Sequence, residues 1–203
     1  MKQLSDFIYV NDNVLDADFC DHVIEKFESS GGGSPGRIFE GVDTSIKQSN
    51  DLYIDKDLLD EWGEIDKKFS ESLGKEYVKY HEQNIKPLPT WDDTGASIAY
   101  ANISDSGYQI QKTVPGGFYK WHNDFGNGIH TSGENKLNPR IITVIWYLNS
   151  VYLGGETEFF CGEKVKPRQG RICMFPCTWQ YAHRGCQPKE QVKYISTTWI
   201  HPH

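Results

Sequence analysis

Around Pro87 and Pro89 the chain changes its hydrophobic period, and that change limits the folds open to it more than any other feature. Before it, Leu58, Trp62, Ile65, Phe69 and Leu73 trace one apolar face from about Lys56 onward, with Asp, Glu and Lys between them. That spacing specifies an amphipathic helix packed against a sheet. An earlier helix is marked by Asp16 as a cap and by Phe19, Val23 and Phe27 at four-residue intervals; it runs to about Glu28 and ends in the glycine patch Gly31 to Gly36. Arg37 to Tyr53 is polar with few apolar anchors and reads as loop and short strand, flexible enough to close over something. After the prolines come short β-type runs: Ser97–Ile103, Tyr108–Val114, Gly117–Trp121, Ile141–Leu148, Thr157–Phe160, Arg171–Phe175 and Val192–Trp199. Helices first and strands afterwards predict a mostly β sandwich or barrel with helices supporting one face.

At 203 residues the chain is expected to form one domain, with helical support over about 14–83 and a strand core over about 97–201. Its formal charge of -7 works against a broad grip on nucleic acid or anionic membrane, both of which need surplus Lys and Arg on one face. No apolar run approaches the roughly 18 residues of a membrane span. Met1 to Val10 carries no secretory pattern, so the expected compartment is the cytoplasm. Cys20, Cys161, Cys173, Cys177 and Cys186 are an odd set without CxxC spacing, which predicts buried structural thiols rather than a disulfide framework or a thiolate zinc site.

His122 and Asp124 lie two residues apart in a β-type run, so an extended backbone turns both to one side while Asn123 faces away. With His183 as third partner they offer two imidazoles and a carboxylate to one ion, the set used by non-haem Fe(II) sites with open positions. HxD triplets also arise by chance, and a lone histidine is more often a surface or hydrogen-bonded residue, so the triplet does not stand by itself. Lys193, ten residues past His183 in the last β-rich run, needs a reason to be there. Turned inward, its ammonium requires an anion; the other reading is an edge-strand lysine in solvent.

These blocks occur in the order that marks the 2-oxoglutarate- and Fe(II)-dependent oxygenases, and the chain resembles their prolyl 4-hydroxylase-like branch. The matching segments are Tyr119 to Asp124; Arg140 to Thr143, Tyr147-Leu148-Asn149 and Gly154-Gly155-Glu156-Thr157; then Val165 to Gly170, Phe175-Pro176, His183, Lys193 and Trp199. The resemblance is close over Ser97 to His201 and looser over Val14 to Tyr53. It implies a double-stranded β-helix, or jelly roll, with N-terminal helices packed on one sheet. His122, Asp124 and His183 would be the iron ligands, and Lys193 would pair with the distal carboxylate of 2-oxoglutarate. Thr143 would approach that same carboxylate, while Tyr119 and Trp199 would line the pocket. Where relatives often carry a further cosubstrate-contacting tyrosine this chain has Thr113, so that contact is absent, moved to Tyr119 or Tyr181, or made by water.

The resemblance further implies Fe(II), 2-oxoglutarate and O2, with ascorbate as reductant, and decarboxylation of 2-oxoglutarate to succinate and CO2 coupled to hydroxylation. A carboxylate at Asp124 fills the position that iron halogenases leave for halide. The expected substrate is a prolyl residue in a peptide or protein, held under the loops Gly31 to Gln48 and Gly126 to Pro139. Arg37 either contacts that substrate or is solvated. The alternatives are the same chemistry on a free amino acid, small metabolite or nucleobase, and a non-catalytic jelly-roll binding protein. His130, His201 and His203 lie outside the matched segments and are expected in solvent.

Overall fold

The computed structural model describes residues 3–38, 41–86, 103–125 and 139–202. In chain order its elements are β1 (Tyr9–Asn11), α1 (Ala17–Ser29), β2 (Ser34–Pro35), β3 (Asn50–Ile54), α2 (Leu59–Tyr80), β4 (Ile103–Asp105), β5 (Tyr108–Thr113), β6 (Tyr119–His122), β7 (Ile142–Tyr147), β8 (Thr157–Phe159), β9 (Lys164–Val165), β10 (Arg171–Pro176), β11 (His183–Gly185) and β12 (Lys193–Pro202). The strands form two antiparallel sheets. The larger runs β1-β10-β7-β12-β5-β3-β2 with β4 also on β12; the smaller runs β6-β11-β8-β9. This is the jelly roll, with both helices on the outer face of the larger sheet.

Strand β7 shows why the sheet is buried on both sides. Ile142, Val144 and Trp146 face the helices and join a core with Val23, Trp62 and Phe69. The alternate residues Ile145 and Tyr147 face inward and pack with Phe159 and Val165 of the smaller sheet. Phe69 of α2 holds the helix layer to the sheet, its ring 5.2 Å from both Tyr108 and Trp146. The Trp146 indole donates to Ser72 at 3.0 Å. Each such ring contributes roughly 1.5–3 kcal/mol by leaving water.

Helix α1 starts where the sequence marks it: the Asp16 carboxylate accepts from the Phe19 amide at 2.8 Å. The apolar face of α2 extends beyond Leu73 to Tyr77 and Tyr80, and it includes a buried acid, Glu76. Tyr9, Asn11 and Lys79 all donate to that carboxylate, at 2.8, 2.8 and 2.6 Å, which offsets its desolvation and ties the edge strand β1 to α2. The glycine patch does more than end α1. A Cβ at Gly33, whose φ is +75°, would lie 2.7 Å from the Asp51 carbonyl oxygen, and one at Gly36 would collide with the Ser49 hydroxyl.

His201, expected in solvent, is buried and its Nε2 lies 2.6 Å from the Ser106 hydroxyl, because β12 continues three residues past Trp199 and pairs there with β4. His130, His203, most of the Ser97–Ile103 run and nearly all of the Gly126–Pro139 loop lie outside the described residues. All five cysteines are free thiols. Among the described residues no helix is long and apolar enough to cross a membrane.

Candidate metal centre and its cavity

The two sheets open at one end onto a cavity of about 670 Å³. One wall follows from the period-two rule on β12, where Lys193, Ile195, Thr197 and Trp199 all turn inward. Across it, β6 and β11 pair so that His122 and His183 are register partners, with ring centroids 4.3 Å apart. Asp124 completes the group. Its carboxylate oxygens lie 3.7 Å from each Nε2, and one donor atom from each of the three side chains falls within 4.8 Å of the others.

Strand geometry is not what brings Asp124 there. β6 ends at His122 and Asp124 sits in a bend beyond it, while Asn123, expected to face away, also lines the cavity. The bend is pinned by the Phe125 amide donating to the Cys177 carbonyl at 3.0 Å. The Thr143 hydroxyl donates to Asp124 Oδ2 at 2.6 Å and lies 3.2 Å from the Cys177 thiol.

Both imidazoles are oriented by main-chain carbonyls, Lys120 at 2.8 Å from His122 Nδ1 and Tyr181 at 3.1 Å from His183 Nδ1. A carbonyl only accepts, so each Nδ1 carries a proton and each Nε2 is the nitrogen turned toward Asp124 and a shared metal position. Burial, then the neighbouring His183, drives the His122 pKa well below the ordinary histidine value, so the ring is neutral near pH 7. Burial would raise the Asp124 carboxyl. Attraction to His183 and His122 and the hydrogen bond from Thr143 outweigh it and keep the group ionised. Two imidazole nitrogens and a carboxylate match a non-haem Fe(II) donor set.

Lys193 lines the same cavity, 5% exposed, and its ammonium forms no ion pair among the described residues. Burial pushes its pKa down to about 8 against the pull of Cys186 and Glu156. Thr113, its register partner on β5, also lines the cavity. Thr143 also lines the cavity, in register with Trp199 six residues along β12 from Lys193, and its hydroxyl donates to Asp124. Tyr119 stacks on His122 with centroids 3.6 Å apart. Tyr181 packs instead with Tyr147 and Phe175 in the inner core and is absent from the cavity lining.

Because Thr143 fixes Asp124, Thr143→Val is expected to weaken Fe(II) binding about 10–100-fold, the range for losing a hydrogen bond to a metal ligand, with little loss of fold. Metal titration followed by protein fluorescence and a melting curve would check both halves.

Two features of the site carried no assigned role in the sequence. Arg140 lies over the Trp199 ring, 3.7 Å from its centroid, and its Nε is buried without a hydrogen-bond partner. Lys47 is buried in the cavity wall, pairs with Asp51 at 2.6 Å and sits 5.2 Å from the Tyr119 ring centroid. The segment that carries it hydrogen-bonds to β6 and its approach, Gln48 amide to Phe118 carbonyl at 2.7 Å and Lys120 amide to Ile46 carbonyl at 3.0 Å. The loop expected to cover the site therefore continues the smaller sheet. Only the arginine at the head of the Arg140–Thr143 segment could have been suspected from sequence; Lys47 gave no signal.

Residues 108–201 match the sequence model of the 2OG-Fe(II) oxygenase superfamily, a span that contains all three candidate ligands and Lys193. No curated protein matches the sequence. Among solved structures, the fold is similar to the viral collagen prolyl hydroxylase of Paramecium Bursaria Chlorella virus-1 in its 2OG complex, with TM-score 0.67 and 18% identity over 97% of this chain and 96% of that one. It is also similar to a Pseudomonas putida prolyl-4-hydroxylase, with TM-score 0.62 and 16% identity over 97% and 94% of the two chains. A Trichoplax adhaerens prolyl hydroxylase, solved with a hypoxia inducible factor oxygen degradation domain peptide fragment, gives TM-score 0.71 and 17% identity over 98% of this chain and 84% of that one. Over residues 108–201 the chain is therefore similar to the 2OG-Fe(II) oxygenase superfamily, and its fold is similar to that of these three prolyl hydroxylases.

Proposed function

We propose that this chain is a single-domain, cytoplasmic hydroxylase of prolyl residues in a peptide or protein, consuming 2-oxoglutarate and O2. The observation that carries the reading is the presence, in one cavity, of a three-donor cluster within 4.8 Å and a buried ammonium without an ion pair among the described residues. A metal ligand set alone fits many activities. A metal set backed by an unpaired buried cation asks for a ligand that reaches the metal at one end and presents a carboxylate at the other.

In this reading His122, Asp124 and His183 hold Fe(II), and Lys193 receives the distal carboxylate of 2-oxoglutarate. Bound together, iron and 2-oxoglutarate supply oxidative decarboxylation to succinate and CO2 and insertion of one oxygen atom into a substrate C–H bond. Thr143 holds Asp124 in its ligating orientation. Tyr119 limits rotation of His122 by stacking on it. Ile145 and Ile195 make part of the floor apolar and help exclude water. Trp199 and Arg140 face the remaining space, where a substrate segment would lie. A peptide substrate is supported by the solved relatives, one of which is bound to a peptide fragment. The reducing compartment is supported by the free, exposed thiol of Cys161 and the lack of disulfides among the described residues.

The test is succinate release from 2-oxoglutarate with Fe(II), ascorbate and O2, with and without a panel of proline-containing peptides. Peptide-stimulated turnover with one oxygen added to proline is expected. Stimulation by free amino acids or nucleosides, with none by any peptide, would reassign the substrate; no 2-oxoglutarate turnover or binding at all would remove the catalytic reading.

A further inference from the structure

The cavity is cationic in an acidic protein. Its charged lining comprises Arg37, Lys47, Arg140 and Lys193 against one carboxylate, Asp124, among the described residues, although the whole chain carries a net charge of -7. Lys47 is neutralised by Asp51, and Asp124 is committed to the histidines and Thr143. If Lys193 serves the cosubstrate, Arg140 and Arg37 remain, and neither forms an ion pair with a described residue.

Arg140 cannot share the cosubstrate's carboxylate with Lys193. Its stacking partner Trp199 is six residues along β12 from Lys193, roughly 20 Å of strand, whereas 2-oxoglutarate anchored at one end is far shorter. Stacking on Trp199 occupies only the face of the guanidinium and leaves its donors at the edge, the geometry suited to a carboxylate. A buried Nε without a partner is costly to leave unpaired, and an acceptor on a ligand in the cavity would satisfy it.

Resting on the prolyl hydroxylase reading, we infer that the substrate peptide carries a carboxylate next to its target residue, received by Arg140 with Arg37 at the cavity mouth. The carboxylate is either an Asp or Glu side chain or the peptide's own C-terminus.

Fluorescence anisotropy on the full chain, loaded with Mn(II) and 2-oxoglutarate so that it does not turn over, tests this directly. The labelled proline peptides differ only in carrying Glu, Gln or Lys beside proline, and the Gln peptide is made both with a free and with an amidated C-terminus. Carboxylate-bearing peptides are expected to bind about tenfold tighter than their neutral counterparts, since charge-assisted hydrogen bonds are about twice as strong as neutral ones. The Lys peptide should bind weakest. Arg140→Gln should erase most of that gap, Arg37→Gln part of it, and Arg140→Glu should reverse the preference toward Lys. A Glu advantage assigns the side chain as source, and an advantage of free acid over amide assigns the terminus. Equal affinities, no binding by any peptide, or a gap that survives in Arg140→Gln would overturn the inference; a melting curve for each variant shows that the fold is intact. The Fe(II) reaction separates the two readings. Oxygenated proline without carboxylate preference sinks this inference alone, while an Arg140-dependent preference without proline oxygenation sinks the prolyl reading alone.

Discussion

Asp124→Ala is expected to abolish Fe(II) binding at micromolar metal and, with it, 2-oxoglutarate turnover. The loss should exceed the roughly 10–100-fold expected for Thr143→Val, because a ligand disappears rather than its support. Two features make Asp124 more exposed to substitution than either histidine. It is the only carboxylate among the described cavity-lining residues, so no neighbouring acid can take its place. It also lies in a bend outside the hydrogen-bonded strand, where Thr143 holds the carboxylate and the Phe125–Cys177 tether holds the backbone beside it. Equilibrium dialysis against Fe(II) under anaerobic conditions measures the first effect and succinate release the second. Retention of stoichiometric metal by Asp124→Ala would dismiss the three-ligand centre.

Lys193→Met should weaken 2-oxoglutarate binding by about 3–5 kcal/mol, on the order of 10²–10³-fold or more, while leaving metal binding in place. It should also raise the melting temperature of the ligand-free protein. The sign follows from burial. An unfolded lysine stays charged to pH 10 and above, whereas in the folded chain burial brings Lys193 down to about 8. Folding therefore carries a penalty below pH 8, where the buried group is charged, and the penalty fades as pH rises through the folded value toward the unfolded one. Removing the ammonium at pH 7 is expected to recover on the order of 1–3 kcal/mol, at roughly 2–4 °C per kcal/mol for a chain of this size. Cosubstrate affinity in the native protein has the opposite dependence, present below about pH 8 and declining above it as the cation is lost. Calorimetric titration of 2-oxoglutarate from pH 6.5 to 9.5, beside melting curves, reads both. A variant that binds 2-oxoglutarate as the native chain does would show that the ammonium serves another purpose.

The parts of this fold readable from sequence are those set by local periodicity. The Phe19–Val23–Phe27 face, the Leu58–Leu73 face and long strands such as β7 and β12 each repeat a pattern over two turns or six residues, enough to specify an element. Strands β1, β9 and β11 are two or three residues long and owe their existence to the neighbour they pair with, so no local pattern marks them. The same division holds in the site. The histidines and Lys193 sit on strands whose alternation turns them inward. Asp124 lies within reach of them through a bend, and the strand argument brought it to the right place for an incomplete reason. The hydrogen bond from Thr143 to Asp124 was not legible, because the sequence gives the strand of Thr143 but not its register with Trp199. Lys47 and Asp51 could not be read at all. A buried pair four residues apart in a polar stretch looks like any solvated pair until β6 is laid against it.

That pair reaches further than its position suggests. Asp51 is no part of the cavity lining, yet it holds Lys47, Lys47 lies against the Tyr119 ring, and Tyr119 stacks on His122. The tilt and basicity of one imidazole are thus set partly from β3, on the opposite sheet. Descendants of this chain can drift in reactivity by altering position 51 while every residue that touches the ion stays the same, and an inventory of coordinating side chains would register no difference between them.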